Sequence, residues 1–410
     1  MSLFGLKSLS SRYGVVIDIG SGSVLVSIIH SDNSLPHPTI VWSHREHAPL
    51  KNIDSLEQSS KAVITALVNA SMILEAEGRK VLHEYDHGAK LTDMQCSISA
   101  PWSYTVTKNI NYKQDGLFSV TEDLIEDLTI TAQDKINAEL KETSNLSELG
   151  LSLVAKGTMD LLVNGYHINN PVKGKAKELS VVLTNAVAHD YLVNAVDELR
   201  DKLFPNVESK KISFILMLHS VTKELLNQAY DVCLVDVTYE ATEIGIVRDG
   251  SLQYSTHASF GSFSIAREIS AITGVPLHEA LGYLHTEKPY SFMQKLNKAQ
   301  HDEVEAVFES YTQKITNLFH ETGDELSIPK KISLHSDLDS ETLFLDLIEK
   351  AARRCLKSDP SVTTISKEII KQTYTESTKE SKIKTPTDTA LLLSAQFFHK
   401  HNKSQSFQYL

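Results

Sequence analysis

The sequence predicts an α/β protein of two similar lobes facing each other across a cleft, and three observations carry this. The stretch 15–29 joins an apolar strand bearing one carboxylate, Asp18, to a second β-branched strand through a tight turn of small residues, Gly20-Ser21-Gly22-Ser23. The stretch 233–250 repeats the device: an apolar strand with Asp236, a turn, an apolar strand and an Asp249-Gly250 turn. Strand patterns alternate with helical ones around both, which argues for an α/β layer rather than a helical bundle. Such a duplication implies two related halves. A ligand between them would meet one aspartate from each.

In the first hairpin, Gly20 and Gly22 are free to take φ > 0 and bring the backbone close to a ligand, so the tip can hold phosphate oxygens. Asp18, at the strand end, stands where a Mg²⁺ with its water shell needs a hard oxygen. By itself the same stretch is also an ordinary hairpin with a charged residue at its mouth. Thr39-Ile40-Val41-Trp42-Ser43 reads as a third strand, and 59–82 as a long amphipathic helix with Ala62, Leu67, Ala70 and Leu74 near helical spacing. Residues 94–99 are strand-like and closed by Pro101.

From 102 to 175 the chain changes character. Thr121 caps a helix whose first turn carries Glu122 and Asp123, which suit its positive end. Residues 151–154 and 159–163 read as two strands, and Asn164-Gly165-Tyr166 and Asn169-Asn170-Pro171 as turns. This is a small α+β insert. Residues 178–184 restore a strand, 190–203 a helix, and 211–217 one more strand. Across 276–325, Leu277, Ala280, Leu281 and Leu284, then Val304, Val307, Phe308, Tyr311 and Ile315, line helix faces and read mostly as core. The Ser/Thr/Lys/Glu-rich stretch 357–384 reads as an exposed connection or solvated helix, and 389–399 as a last helix.

At 410 residues the chain exceeds what one core fills, so two or three domains are expected. A net charge of -12 and a pI near 5.8 argue against a nucleic-acid binder, which needs concentrated positive surface. Cys96, Cys233 and Cys355 are odd in number, far apart and in apolar surroundings, as buried thiols in a reducing compartment would be. The first twelve residues lack the apolar core of a signal peptide, and no apolar run approaches a membrane span, so a cytosolic protein is expected. Leu3, Phe4 and Leu6 read as a frayed terminus or a small docking patch. His83-Glu84-Tyr85-Asp86-His87 satisfies H-E-x-x-H, which on a helix would put two imidazoles on one face with Glu84 as general base of a zinc protease. It falls at a helix end before Gly88, where a histidine also suits the negative dipole terminus.

The paired hairpins resemble the phosphate-binding loops of the actin, sugar kinase and Hsp70 superfamily, and the insert resembles that of its bacterial FtsA and PilM branch. The most telling segment is Val163-Asn164-Gly165-Tyr166-His167-Ile168-Asn169-Asn170-Pro171-Val172-Lys173-Gly174 followed by Leu179-Ser180-Val181. It is similar to the FtsA/PilM turn in which Gly, Ile, Pro and Gly precede the strand leading out of the insert. The resemblance implies an actin-like, ribonuclease H-like duplicated fold with two lobes around a nucleotide cleft. It implies a division into 13–101 and 177–228 for lobe 1, 102–176 for the insert, 229–275 and 326–357 for lobe 2, and 276–325 for a helical subdomain. A polar connection at 358–385 and a closing helix and tail at 386–410 complete it.

Carried over, Asp18, Gly20, Ser21, Gly22 and Ser23 match the first phosphate motif, and Asp236, Thr238, Thr242 and Glu243 lie on the second. Gly261, Arg267 and Glu268 follow where the family has a Gly-Gly turn and helix. Asp18 and Asp236 would hold Mg²⁺ through water. Three departures stand out: Thr238 and Tyr239 replace two glycines, Glu243 replaces an aspartate, and Ile332-Ser333-Leu334-His335-Ser336-Asp337 has no glycine where the adenosine motif expects a Gly-Gly turn. The implied protein is a cytosolic platform peripheral to the inner membrane, taking ATP and Mg²⁺ weakly with weak or no hydrolysis. Its implied partners are a cytoplasmic peptide of a pilus-assembly membrane protein or the division proteins, with filament formation by self-association. The tail 402–410 is too polar for a membrane helix, which favours the pilus-type role. The alternative within the superfamily is a true ATP-hydrolysing ATPase or kinase.

Overall fold

The computed structural model describes residues 11–49, 56–142, 150–168, 170–225, 231–322, 326–337, 341–370 and 388–403. Three strands, β1 (Ser11–Ile19), β2 (Ser23–Asp32) and β3 (Thr39–His47), run antiparallel, followed by α1 (Leu56–Ile73), a π-helical turn at Leu74–Gly78, α2 (Arg79–Tyr85) and β4 (Leu91–Ile98). The insert contains β5 (Ser103–Ser119), α3 (Glu122–Glu142), β6 (Leu151–Val163), β7 (Tyr166–His167) and β8 (Lys175–His189). Next come α4 (Asp190–Leu203), β9 (Glu208–Ser213) and α5 (Phe214–Leu225). The second lobe brings β10 (Val232–Val237), β11 (Thr242–Arg248), β12 (Ser251–Ala258), α6 (Ser262–Thr273), α7 (Leu277–Leu284), a 3-10 turn at Ser291–Lys295 and α8 (Lys298–His320). It closes with β13 (Lys331–Ser336), α9 (Glu341–Cys355), β14 (Ser361–Thr364), α10 (Ile365–Ile369) and α11 (Thr389–Lys403).

The two lobes repeat one sheet. Lobe 1 has the order β3-β2-β1-β4-β9 and lobe 2 the order β12-β11-β10-β13-β14, each with three antiparallel strands followed by two parallel ones. The insert forms a separate sheet, β5-β8-β6-β7, covered by α3. Asp249 and Gly250 both have positive φ (49° and 72°), which lets a two-residue turn join β11 to β12.

Strand parity decides where the aspartates go. Val15, Ile17 and Ile19 pack against Val63, Leu67 and Ala70 of α1, while Val16 points to the opposite face, against Leu391, Ala395 and Phe398 of α11. Asp18 shares Val16's parity. In β10, Cys233, Val235 and Val237 face the α8/α9 layer, and Val232 and Leu234 face α5 and α11. Asp236 shares the parity of Leu234. Both carboxylates therefore lie on the sheet faces covered by the two helices that run between the lobes, and both are buried. Sheets covered on both sides have near-continuous apolar strands, and that is why these two read as runs rather than alternations.

Several elements differ from the sequence reading. Residues 211–217 are a strand only in their first part: β9 ends at Ser213 and Phe214–Leu225 is a helix whose Phe214, Ile215, Leu216, Met217 and Leu218 are all buried. A continuous apolar run of this length has no periodicity to separate a core strand from a core helix. The long strand Ser103–Ser119 was unmarked by alternation because its second half, Asn111 to Ser119, is largely exposed and polar. The two short strands at 151–154 and 159–163 are one strand with register shifts near Ala155. The polar stretch 358–385 is only partly a connection, since Ser361–Thr364 extends the lobe 2 sheet and Ile365–Ile369 is helical. The helices of 276–325 share one continuous core with the lobe 2 sheet. Leu3, Phe4, Leu6 and the tail 404–410 lie outside the described residues, as does most of the connection, 371–387.

The candidate functional site between the lobes

The two aspartates sit at matched positions. Asp18 is in register with Ser97 on the parallel neighbour β4, and Asp236 with His335 on the parallel neighbour β13. The Ser97 hydroxyl donates to Asp18 Oδ1 at 2.7 Å, and His335 Nδ1 lies 2.7 Å from Asp236 Oδ1. Duplication thus extends from the strands to the hydrogen bond that each carboxylate receives. On its other side Asp236 opposes Glu243 across the β10/β11 pair, which puts two buried acids side by side. Among the described residues, no hydrogen bond reaches Asp236 Oδ2.

The turns that follow the aspartates touch. The Glu240 backbone N–H donates to Ser21 Oγ at 2.8 Å, the Ser21 hydroxyl donates to Thr238 Oγ1 at 2.7 Å, and the Thr238 hydroxyl donates to the Ala241 carbonyl at 3.1 Å. Buried hydrogen bonds in a chain polarise and strengthen one another. Tyr239, 2% exposed, lays its ring against Gly22: a Cβ there would lie 2.6 Å from Tyr239 Cγ. The indole N–H of buried Trp102 donates to the Gly20 carbonyl at 3.1 Å, which holds the first turn from the lobe 1 side. Neither Gly20 nor Gly22 adopts positive φ. What Gly22 supplies is the absence of a side chain under the tyrosine.

Charge gathers around these turns. Arg45 on β3 makes a bidentate pair with Asp388 (2.7 and 2.9 Å), which caps α11 by accepting the Leu391 N–H, and a third bond to Ser23 Oγ at 2.7 Å. Asp337, following β13, is held by its backbone N–H to the Val237 carbonyl. Asp18, Asp236, Asp337, Glu243 and His335 are buried, with Arg45 and Asp388 at the edge of the group.

No family model and no curated protein sequence matches the chain. Solved structures do. The PilM-PilN type IV pilus biogenesis complex contains a chain with a TM-score of 0.54 at 11% identity, covering 96% of this chain and 98% of that one. This chain has the actin-like ATPase fold. The putative N-acetylmannosamine kinase Lmo2764 from Listeria monocytogenes (TM-score 0.44, 11% identity, 96% and 100% coverage) and the ethanolamine utilization protein EutJ from Carboxydothermus hydrogenoformans (0.41, 10%, 86% and 84%) are more distant matches.

Within this actin-like frame, the residues singled out from sequence fall into groups. Asp18, Gly20, Ser21, Gly22, Ser23, Asp236 and Thr238 come together where the lobes meet. Thr242 turns away: its hydroxyl lies 2.8 Å from the Phe260 carbonyl and 2.7 Å from Tyr311 Oη inside lobe 2. Gly261 lies under the second turn, where a Cβ would come within 2.2 Å of the Thr238 carbonyl oxygen. Arg267 is spent on a bidentate pair with Glu240 (2.7 and 2.6 Å). Glu268 is exposed and lines a separate groove of about 450 Å³ between α6 and α8. Sequence reasoning passed over Arg45, Ser97, Trp102 and Asp388, and it treated His335 and Asp337 only as a missing glycine turn. The register of β13 against β10 is the signal that would have paired His335 with Asp236.

A triphosphate with Mg²⁺ does not fit these turns as they stand. Tyr239 covers Gly22, and the α6 N-terminal amides of Ser262 and Phe263 donate to the carbonyls of Thr238 and Tyr239 (3.1 and 2.8 Å), so the helix end that would meet an anion meets its own chain. The protease motif is not assembled either. Helix α2 ends at Tyr85, Asp86 is extended, and among the described residues His83 and His87 belong to no group of three ligands. No helix among the described residues is long and apolar enough to cross a membrane.

The cluster predicts a pH dependence. Burial pushes the Asp18 carboxyl up to about 6, against Arg45 and Ser97, and the Asp337 carboxyl up to about 7, against Arg45 and His335 and with help from Asp236 and Asp18. Burial and Asp236 raise Glu243 well above the ordinary range. Burial works against a charged His335, yet Asp236, Asp337 and Glu341 outweigh it and hold the imidazole at about 9. Each of these groups binds its proton more tightly folded than unfolded. The carboxyls' stabilising contribution is therefore lost as pH rises from the unfolded carboxylate range through about 6 and 7. His335's is complete below 6.5 and is lost as pH rises to about 9. The melting temperature should fall between pH 6 and 9, and Asp337→Asn should flatten the lower part of that fall. A profile that rises over this range contradicts the arrangement.

Proposed function

We propose that this chain is a cytosolic, PilM-like platform, peripheral to an inner-membrane assembly, that docks a short cytoplasmic peptide of a pilus-assembly membrane protein. The observation that carries the reading is the likeness in fold, over 96% of the chain, to a structure solved as a PilM-PilN complex. The insert adds support, because it carries Leu117, Ile130, Leu153, Tyr166 and Ile168 among the exposed large apolar residues. Tyr166 (75% exposed) and Ile168 flank the end of β7, the edge strand of the insert sheet, an arrangement suited to receiving an extended peptide. Co-purification with the membrane proteins encoded beside it, followed by binding of their cytoplasmic peptides, tests the role. Tyr166→Asp should weaken capture by about tenfold or more without lowering the melting temperature. Capture of division proteins instead would move the role to an FtsA-like one, and unchanged capture by the variant would remove the docking edge. A nucleotide-using ATPase or kinase is the second reading, favoured by the matched placement of Asp18 and Asp236. It requires the two turns to part.

A further inference from the structure

We infer that the chain is the ligand of its own cleft: the turn Thr238-Tyr239-Glu240 of lobe 2 seats in the Gly20–Ser23 turn of lobe 1 and keeps the lobes closed without nucleotide. Two sets of contacts cross the cleft as a bridging ligand would, and two more within the lobes occupy groups that a ligand would otherwise meet. The Ser21 hydroxyl takes the Glu240 amide and gives its proton to Thr238, so the first turn is bonded to the second by side chain and by backbone. The Tyr239 ring fills the space over Gly22, and its hydroxyl lies 3.4 Å from His47 Nδ1 at the end of β3. The α6 amides are satisfied by the same turn. The carboxylates have cations from the chain itself, His335 for Asp236 and Arg45 beside Asp18.

The insert pins the closed form at a second place. Thr105 on β5 meets Ser255 on β12 through their hydroxyls, and His167 on β7 meets the Asp249 carbonyl and lies 3.4 Å from Ser251 Oγ. The lobes are thus joined at the mouth of the cleft and along the insert by contacts between the chain's own side chains and backbone. Glycines would leave room at this turn for the close approach of an anion, and Thr238 and Tyr239 fill that room with side chains that contact the other lobe. The closure does not depend on the platform role, which can fail while the closure stands.

Two measurements on the full chain test it. Amide hydrogen exchange at 20–23 and 238–241 should already be slow without nucleotide and unchanged by millimolar Mg·ATP. The melting temperature should move by less than about 1 °C under the same conditions. Nucleotide-dependent protection of these turns, or a shift of several degrees, overturns the inference. Ser21→Ala with Thr238→Ala should speed exchange at both turns about tenfold or more while strands 232–237 and 15–19 keep their protection. Tyr239→Ala, which removes the ring without touching the hydroxyl chain, should do the same at 20–23. Unchanged exchange in both variants overturns the inference as well.

Discussion

Replacing His335 with alanine is expected to cost about 3–5 kcal/mol of stability, the range for removing one partner of a buried ion pair. Asp236 has His335 on one side and Glu243 on the other, all three fully buried, and among the described residues no hydrogen bond reaches Asp236 Oδ2. Without the imidazole, two neighbouring acids share a site with no cation in contact. The ring also packs on Phe214 of α5, with centroids 4.9 Å apart, so alanine leaves a void between lobe 2 and the interlobe helix. Chemical denaturation separates the two effects. His335→Asn keeps a donor but no charge and should lose less, and combining it with Asp236→Asn should recover part of that loss, giving a coupling of 1 kcal/mol or more by the usual scale of contacting pairs, about 0.5–3 kcal/mol. A His335→Ala loss below about 1 kcal/mol would mean that Asp236 does not depend on the imidazole.

Gly261→Ala should be nearly as damaging, at about 3 kcal/mol or more, although it adds one methyl group. The new Cβ would stand 2.2 Å from the Thr238 carbonyl oxygen and 2.6 Å from that of Tyr239, and those atoms are backbone, so no side-chain rotation relieves the clash. To make room, α6 must move off the second turn and release the Ser262 and Phe263 amides from their carbonyls. The same displacement would loosen the contact of Thr238 and Tyr239 with Ser21 and Gly22 in the other lobe. Gly282→Ala is the control. Its Cβ would meet nothing within 4 Å in the middle of α7, so it should be neutral or stabilising by up to about 1 kcal/mol. Equal effects of the two substitutions on the denaturation midpoint would contradict the packing described here.

The legible part of the molecule is local. The strand-turn-strand devices at Asp18 and Asp236 were visible because a β-branched run, a cluster of small residues and a second run are signals within some fifteen residues. The Asp249-Gly250 turn follows from short-range chemistry of the same kind. Residues 214–217 failed as a strand because burial on all sides erases the period that tells helix from strand, and burial on all sides is a property of their neighbours. The site was half legible. Its carboxylates and turn residues announce themselves, but Arg45 meets Asp388 across 343 positions and His335 meets Asp236 across 99, and no local pattern specifies such pairs.

Sequence alone determined that there are two hairpins of one design, each ending a strand on a carboxylate, because turn chemistry and β-branched runs act over a few residues. Whether those hairpins would stand apart around a ligand or close on each other was decided only in three dimensions. The packing of α5 and α11 between the sheets sets the distance between the lobes, and that distance brings Ser21 to Thr238 and Tyr239 onto Gly22. A side chain that reads as an obstacle to phosphate in the sequence becomes, at that distance, a contact that holds the molecule shut.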